Sequence, residues 1–309
     1  MAINVAEGMR SGRYALITVV IGISFAFIWS SAFTAAKFAL QSSPPMLLLA
    51  SRFLISGILA MAIAAILGQK LPRRTGQWMR IGILGVCQNT LYLGLMFVAM
   101  TGISAGLASI IGSSLPLVMA VLAPLVLRER VGGLKIVGLV VGFAGVVYIM
   151  QSRMTGSLGE DPVGILLAFL GVMGLATGTA LVKKGDFGTG LLMVVGLQML
   201  VGSLTLMPFA LWFDDPGDVS LNPGFLVAFA YIVLFPGIIA TLLWFMLLER
   251  GSATDAAAYH FLNPVFGVAI AWAVLAEPAG WHDAIGVVLV AAGILVVNRA
   301  DRRLSQKPS

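Results

Sequence analysis

The 309-residue chain is 59% hydrophobic and only 10% charged, with a mean hydropathy of +1.01 and a formal charge of +6. That much apolar sequence exceeds what a water-soluble globule uses, so lipid is the solvent for most of the chain. The positive charge does not indicate nucleic acid, because Lys and Arg lie in short loops between apolar runs, where they act as topology signals. The single cysteine, Cys87, excludes an internal disulfide.

Crossing the hydrocarbon takes about 20 helical residues. Ten such runs follow one another, near 14–38, 45–67, 77–100, 103–127, 132–150, 162–183, 190–213, 224–248, 254–275 and 282–298. We number them spans 1 to 10. Span 1 follows Arg10 and Arg13 as the core of a signal peptide would, but it is too long for one. The breaks carry turn chemistry, as in Ser42-Ser43-Pro44-Pro45, Gly132-Gly133 and Glu277-Pro278-Ala279-Gly280. The expected fold is all-α, a polytopic membrane protein of ten transmembrane helices. The short tails leave no separate soluble domain to carry an activity.

The chain also repeats itself. Adding 148 takes Ser104 to Ser252, Pro116 to Pro264, Glu129 to Glu277, Gly138 to Gly286 and Gly145 to Gly293. A proline, a glutamate and two glycines in one ungapped register indicate a duplication. We expect a first five-helix repeat over 1–152 and a second over 153–309. Loop charge sets the orientation: with the N-terminus cytoplasmic, 16 Lys and Arg collect on that side against two, Lys37 and Arg153, outside. Both termini are then cytoplasmic. Because five is odd, the second repeat enters the membrane in the opposite sense, the architecture of transporters that rock between two mirrored states. Inverted repeats also build channels, so this feature implies transport without choosing a carrier.

Leu127-Arg128-Glu129-Arg130 and Leu275-Ala276-Glu277-Pro278, with Trp29-Ser30-Ser31-Ala32-Phe33, Lys37, Pro44-Pro45 and Arg52, resemble the EamA type of the drug/metabolite transporter superfamily. The resemblance covers nearly the whole chain, carried by the order of individually loose motifs. It implies export of amino acids or other metabolites, and within the superfamily the chain is similar to bacterial aromatic amino acid exporters. In the aligned second repeat Arg52 falls on Gln198, at an offset of 146, so any role for the arginine belongs to one half.

A polar group at mid-membrane costs several kcal/mol unless it is satisfied, so mid-span polar and aromatic residues are the candidate substrate-binding set. They are Trp29 and Phe33 in span 1; Gln88, Asn89 and Tyr92 in span 3; Ser113 in span 4; Thr177 in span 6; Tyr231 in span 8; and Tyr259, His260 and Asn263 in span 9. Tyr259 and Asn263 are four apart and share a helical face. Against each stands a structural role: Ser and Thr bond their own backbone or a neighbouring helix, and aromatic rings pack in cores. Gly138, Gly142, Gly286 and Gly293 suit close helix packing better than binding. Arg52 sits about seven residues inside span 2, where burial costs roughly 3 kcal/mol. It can snorkel outward or find a carbonyl or an acid. Lys37 reaches the interface.

All 13 acids lie at helix ends, in loops or in tails. A proton antiport built on a central carboxylate is therefore disfavoured, and His260 is the best proton carrier if one operates. No His-Glu-x-x-His motif and no pair of mid-membrane acids occurs, which argues against an enzyme. The expected function is secondary export of small metabolites, foremost aromatic or apolar amino acids, across the cytoplasmic membrane. Such a carrier uses no cofactor, has the bilayer and a small molecule as partners, and works as a monomer, since one chain holds both halves. A multidrug or other metabolite exporter is the alternative.

Overall fold

The computed structural model describes residues 2–99, 102, 103, 105–151, 161–275 and 280–305, with the side chains of 2–13, 33, 37, 105–107, 271, 275 and 301–305 outside that description. Ser104, Arg153 and Glu277, on which the duplication and the loop charges drew, lie outside the described residues.

Among the described residues ten helices are long and apolar enough to cross a membrane, each within a few residues of its expected span. They are α1 (Ala2–Ala39), α2 (Pro45–Ile66), α3 (Thr75–Ala99), α4 (Ala105–Gly112 and Leu115–Val126) and α5 (Gly133–Gln151). The second five are α6 (Pro162–Lys184), α7 (Leu191–Phe213), α8 (Pro223–Arg250), α9 (Ala253–Ala258, Tyr259–Phe261 and Leu262–Leu275) and α10 (Trp281–Ser305). Their starts follow local chemistry. Asp161 and Asn222 cap α6 and α8 by accepting from Gly164 N and Phe225 N at 3.3 and 2.8 Å, each followed by a proline whose missing N–H is not needed there. Outward faces carry exposed Leu125, Val227 and Leu204, the surface that lipid demands.

The helices deviate from regularity in matched places. α3 widens into a π-helix over Val86–Gly94 and α8 over Val233–Ala240, where Pro236 lies 148 residues after Gln88. α4 is interrupted at Ser113–Ser114 before Pro116, and α9 tightens into a 3-10 turn at Tyr259–Phe261 before Pro264. The prolines withhold backbone donors at the same register in both halves.

Helices at corresponding positions in the two halves pack side by side. α2 runs antiparallel to α7: Leu47 N donates to Asp214 Oδ2 at 2.7 Å at one end, Ser203 Oγ to Ala50 O at 2.9 Å nearby, and Met193 N to Gln69 Oε1 at 3.0 Å at the other end. Each helix of this pair thus has an N-terminal donor capped from beyond its own half. α5 and α10 cross antiparallel through glycine. A Cβ on Gly145 would stand 2.9 Å from Gly286 O and 2.8 Å from Val290 N, and one on Gly138 2.9 Å from Gly293 O. The expected packing role of these glycines holds, because bare backbone contact is what draws helices together where water gives no drive. The first helices are exchanged: α1 lies on α8 and α9, and α6 lies on α3 and α4.

A side chain at Gly145 must therefore push α10 away, whereas Gly267 has nothing within 4 Å of the added atom. Gly145→Val is expected to cost at least the roughly 1–3 kcal/mol of an overpacked core and to lower the thermal midpoint in detergent, while Gly267→Val leaves it nearly unchanged.

Candidate functional site

Seven helices, α1, α2, α3, α6, α7, α8 and α9, meet around a cavity at the seam between the halves. Trp29, Gln88, Asn89, Tyr92 and His260 from the expected set line it, together with Phe25, Arg52, Phe53, Gln198 and Trp244. Its free volume is about 20 Å³, room for roughly one water. The walls have closed on each other.

The polar side is assembled by the π-helical segment of α3, which carries Gln88, Asn89 and Tyr92. Asn89 Nδ2 donates to Gln198 O at 2.9 Å and to Gln198 Oε1 at 2.6 Å, tying α3 to α7 with both residues buried. Gly202 in α7 makes the room, since a Cβ there would overlap the Asn89 side chain, and Gly178 in α6 does the same for Gln88. The other side is aromatic. Phe25 stacks on Trp244 with ring centroids 5.3 Å apart and meets Trp29 at 5.7 Å, while His260 stands edge-on to Trp244 at 4.8 Å. Arg52 keeps only 7% of its surface exposed, so it does not snorkel outward but stays among these rings and amides.

The remaining expected residues go elsewhere. Thr177 is exposed on the outside of α6, its hydroxyl returned to Met173 O at 2.9 Å. Ser113 is buried at the break in α4, off the cavity wall. Tyr259 is buried against α1, filling the space that Gly22 leaves. Asn263 accepts from Ser30 Oγ through its backbone carbonyl at 3.1 Å. Tyr231 faces a second, open cleft of about 700 Å³ between the end of α1 and the start of α8, where its hydroxyl and Ser31 Oγ are 2.7 Å apart. Phe33's side chain lies outside the described residues.

The opposite end of the bundle is tied shut by charge. Ala253 N, at the start of α9, donates to both oxygens of Glu129 at 2.9 and 3.1 Å, an anion on a helix N-terminus. Lys135 at the start of α5, 1% exposed, meets Asp255 at 2.6 Å and donates to Ser252 Oγ at 2.9 Å. Lys183 in α6 donates to Leu248 O at 2.8 Å and also to Gly251 O, satisfying carbonyls at the C-terminal end of α8. The Glu129 and Lys135 contacts join the two halves across one end, and the Lys183 contacts tie α6 to α8 beside them.

Ten apolar helices around a closed polar and aromatic cavity, latched at one end and cleft at the other, make a membrane transporter. The chain belongs to the EamA-like transporter family, whose model matches it twice, over residues 16–151 and 162–299. It is 30% identical over 271 residues to the uncharacterized transporter YvbV of Bacillus subtilis, covering 88% of each chain. It is 26% identical to Protein PecM of Dickeya dadantii, covering 91% of this chain and 93% of that one. A crystal structure of a protein with 19% sequence identity superposes with a TM-score of 0.80 over 93% of this chain and 98% of that one, and so shares the fold.

Removing Lys135 takes from Asp255 the buried cation that it meets at 2.6 Å. Lys135→Ala is expected to lower stability by an amount toward the lower end of the roughly 3–5 kcal/mol of a broken buried pair, because Asp255 keeps 16% of its side chain exposed. In a double-mutant cycle with Asp255→Ala, read by thermal unfolding, the double variant should lose much less than the two single losses added together.

Proposed function

We propose that this chain exports small metabolites, foremost aromatic or apolar amino acids, across the cytoplasmic membrane by alternating access. The observation that carries the reading is the cavity at the seam, where Phe25, Trp29 and Trp244 offer ring faces opposite the Gln88, Asn89 and Gln198 amides. A side chain stacks on the rings and backbone polar groups meet the amides. The free volume of about 20 Å³ fits a carrier between its two open states, with the cavity expanding to load.

The halves 1–152 and 153–309 form inverted repeats in this reading. The antiparallel pairing of α2 with α7 and of α5 with α10 supports it, since equivalent helices of upside-down copies must oppose each other. The end holding Glu129, Lys135 and Lys183 faces the cytoplasm with both termini, in line with the loop charges. One chain supplies both sides of the cavity, so a monomer suffices. A multidrug exporter is the second reading, favoured only by the aromatic walls, which any flat apolar molecule would also fit.

Two measurements test this. With Cys87→Ala as background, cysteines at Arg130 and Ala279 should be labelled from opposite sides of sealed vesicles; labelling of both from one side removes the inverted arrangement. Vesicles preloaded with unlabelled phenylalanine or leucine should take up the labelled amino acid by counterflow, and no counterflow of any amino acid removes the substrate assignment.

A further inference from the structure

The buried polar side-chain atoms of the cavity lining that lack a partner are all nitrogens. Arg52 Nε, Gln88 Nε2, Trp244 Nε1 and His260 Nδ1 are all buried, and each lacks a hydrogen-bond partner. The guanidinium and the indole can only donate, while the amide and the imidazole can turn to do so. Arg52 is more than nine-tenths buried, and its Cζ lies over the Phe53 ring, 5.4 Å from the centroid. Among the described residues no carboxylate lines the cavity. A positive charge and spare donors thus face one small closed space, where an unmatched charge is far costlier than in water.

We propose that the cargo carries a carboxylate, and that Arg52 is the residue that receives it, with Trp244 and Gln88 donating alongside. One guanidinium matches a single negative charge through paired N–H groups, whereas a phosphate dianion would leave a second charge unmatched. The proposal rests on the reading of this cavity as the transport site, and it separates the two functional readings. Amino acids and simple organic acids bring the missing acceptor; lipophilic amines bring a cation with no carboxylate to pair with Arg52. A bound carboxylate also pairs with the buried guanidinium, so the loaded carrier crosses between states more readily than the empty one, and exchange outruns net efflux.

The test is thermal unfolding of the purified full chain in detergent with three probes that share one ring: phenylpropionate, L-phenylalanine and phenylethylamine. The two carboxylates should raise the midpoint in a concentration-dependent way and the amine should not. Arg52→Gln should unfold no lower than the native chain when empty, because the stranded charge is gone, and should bind phenylpropionate at least tenfold more weakly. Arg52→Lys, a point charge in place of the fork, should retain part of the shift, and it carries the test if the glutamine variant is not recovered folded. The proposal is overturned if the amine stabilises as well as the acids, if no carboxylate from acetate to phenylpropionate shifts the native chain, or if the Arg52 variants keep the full shift. Arg52-dependent stabilisation by acids without amino acid counterflow would refute the amino acid assignment alone. Counterflow unchanged in Arg52→Gln would refute the carboxylate role alone.

Discussion

Hydrocarbon offers no hydrogen bonds, and the rest of this structure answers to that constraint. Helices are the response along the backbone, and where backbone regularity fails the protein satisfies the freed groups itself. The Ser114 hydroxyl returns to Ile111 O at the break in α4, and that of Thr241 to Pro236 O at the π-helical segment of α8. Asn89 and Gln198 satisfy each other across the seam. Against this background of pairing, the unmatched nitrogens of Arg52 and Trp244 stand out, because membrane interiors leave such groups alone only where something arrives to meet them.

The close helix pairs that frame the cavity have the same origin. Without water to expel, contact area and backbone approach must hold helices together, and glycine provides both at the α5–α10 crossing. Half-buried capping by Asp214, Gln69 and Glu129 then fixes helix ends from across the seam. The cavity is thus held by elements from both halves, with a rigid polar clasp at one end and a cleft at the other.

Much of this was legible in the sequence. Run length gave the ten helices, since about 20 residues are needed whatever the fold, and the offset of 148 anticipated where the prolines of α4 and α9 would disturb their helices. The cavity was read only in part. Gln88, Asn89, Tyr92, Trp29 and His260 converge, yet Thr177 faces outward although it sits as deep in its helix as Thr179. A helix that is apolar on every side has no polar face from which its rotation can be read, so depth was legible and direction was not. Gln198 appeared only as the residue aligned with Arg52, and that alignment was the usable signal: both positions line the cavity. Phe25, Phe53 and Trp244 gave no signal, because rings in apolar helices look alike until their neighbours are known. The π-helical widening of α3 has no proline to announce it.

The exchange of first helices shapes what can move. α1 lies on α8 and α9, and α6 lies on α3 and α4, so neither 1–152 nor 153–309 is a mechanical unit. A hinge between residues 152 and 153 would tear each leading helix from its seat. The bodies that tilt must be mosaics, each built from helices of both halves, and the boundary along which they slide crosses the chain many times instead of once.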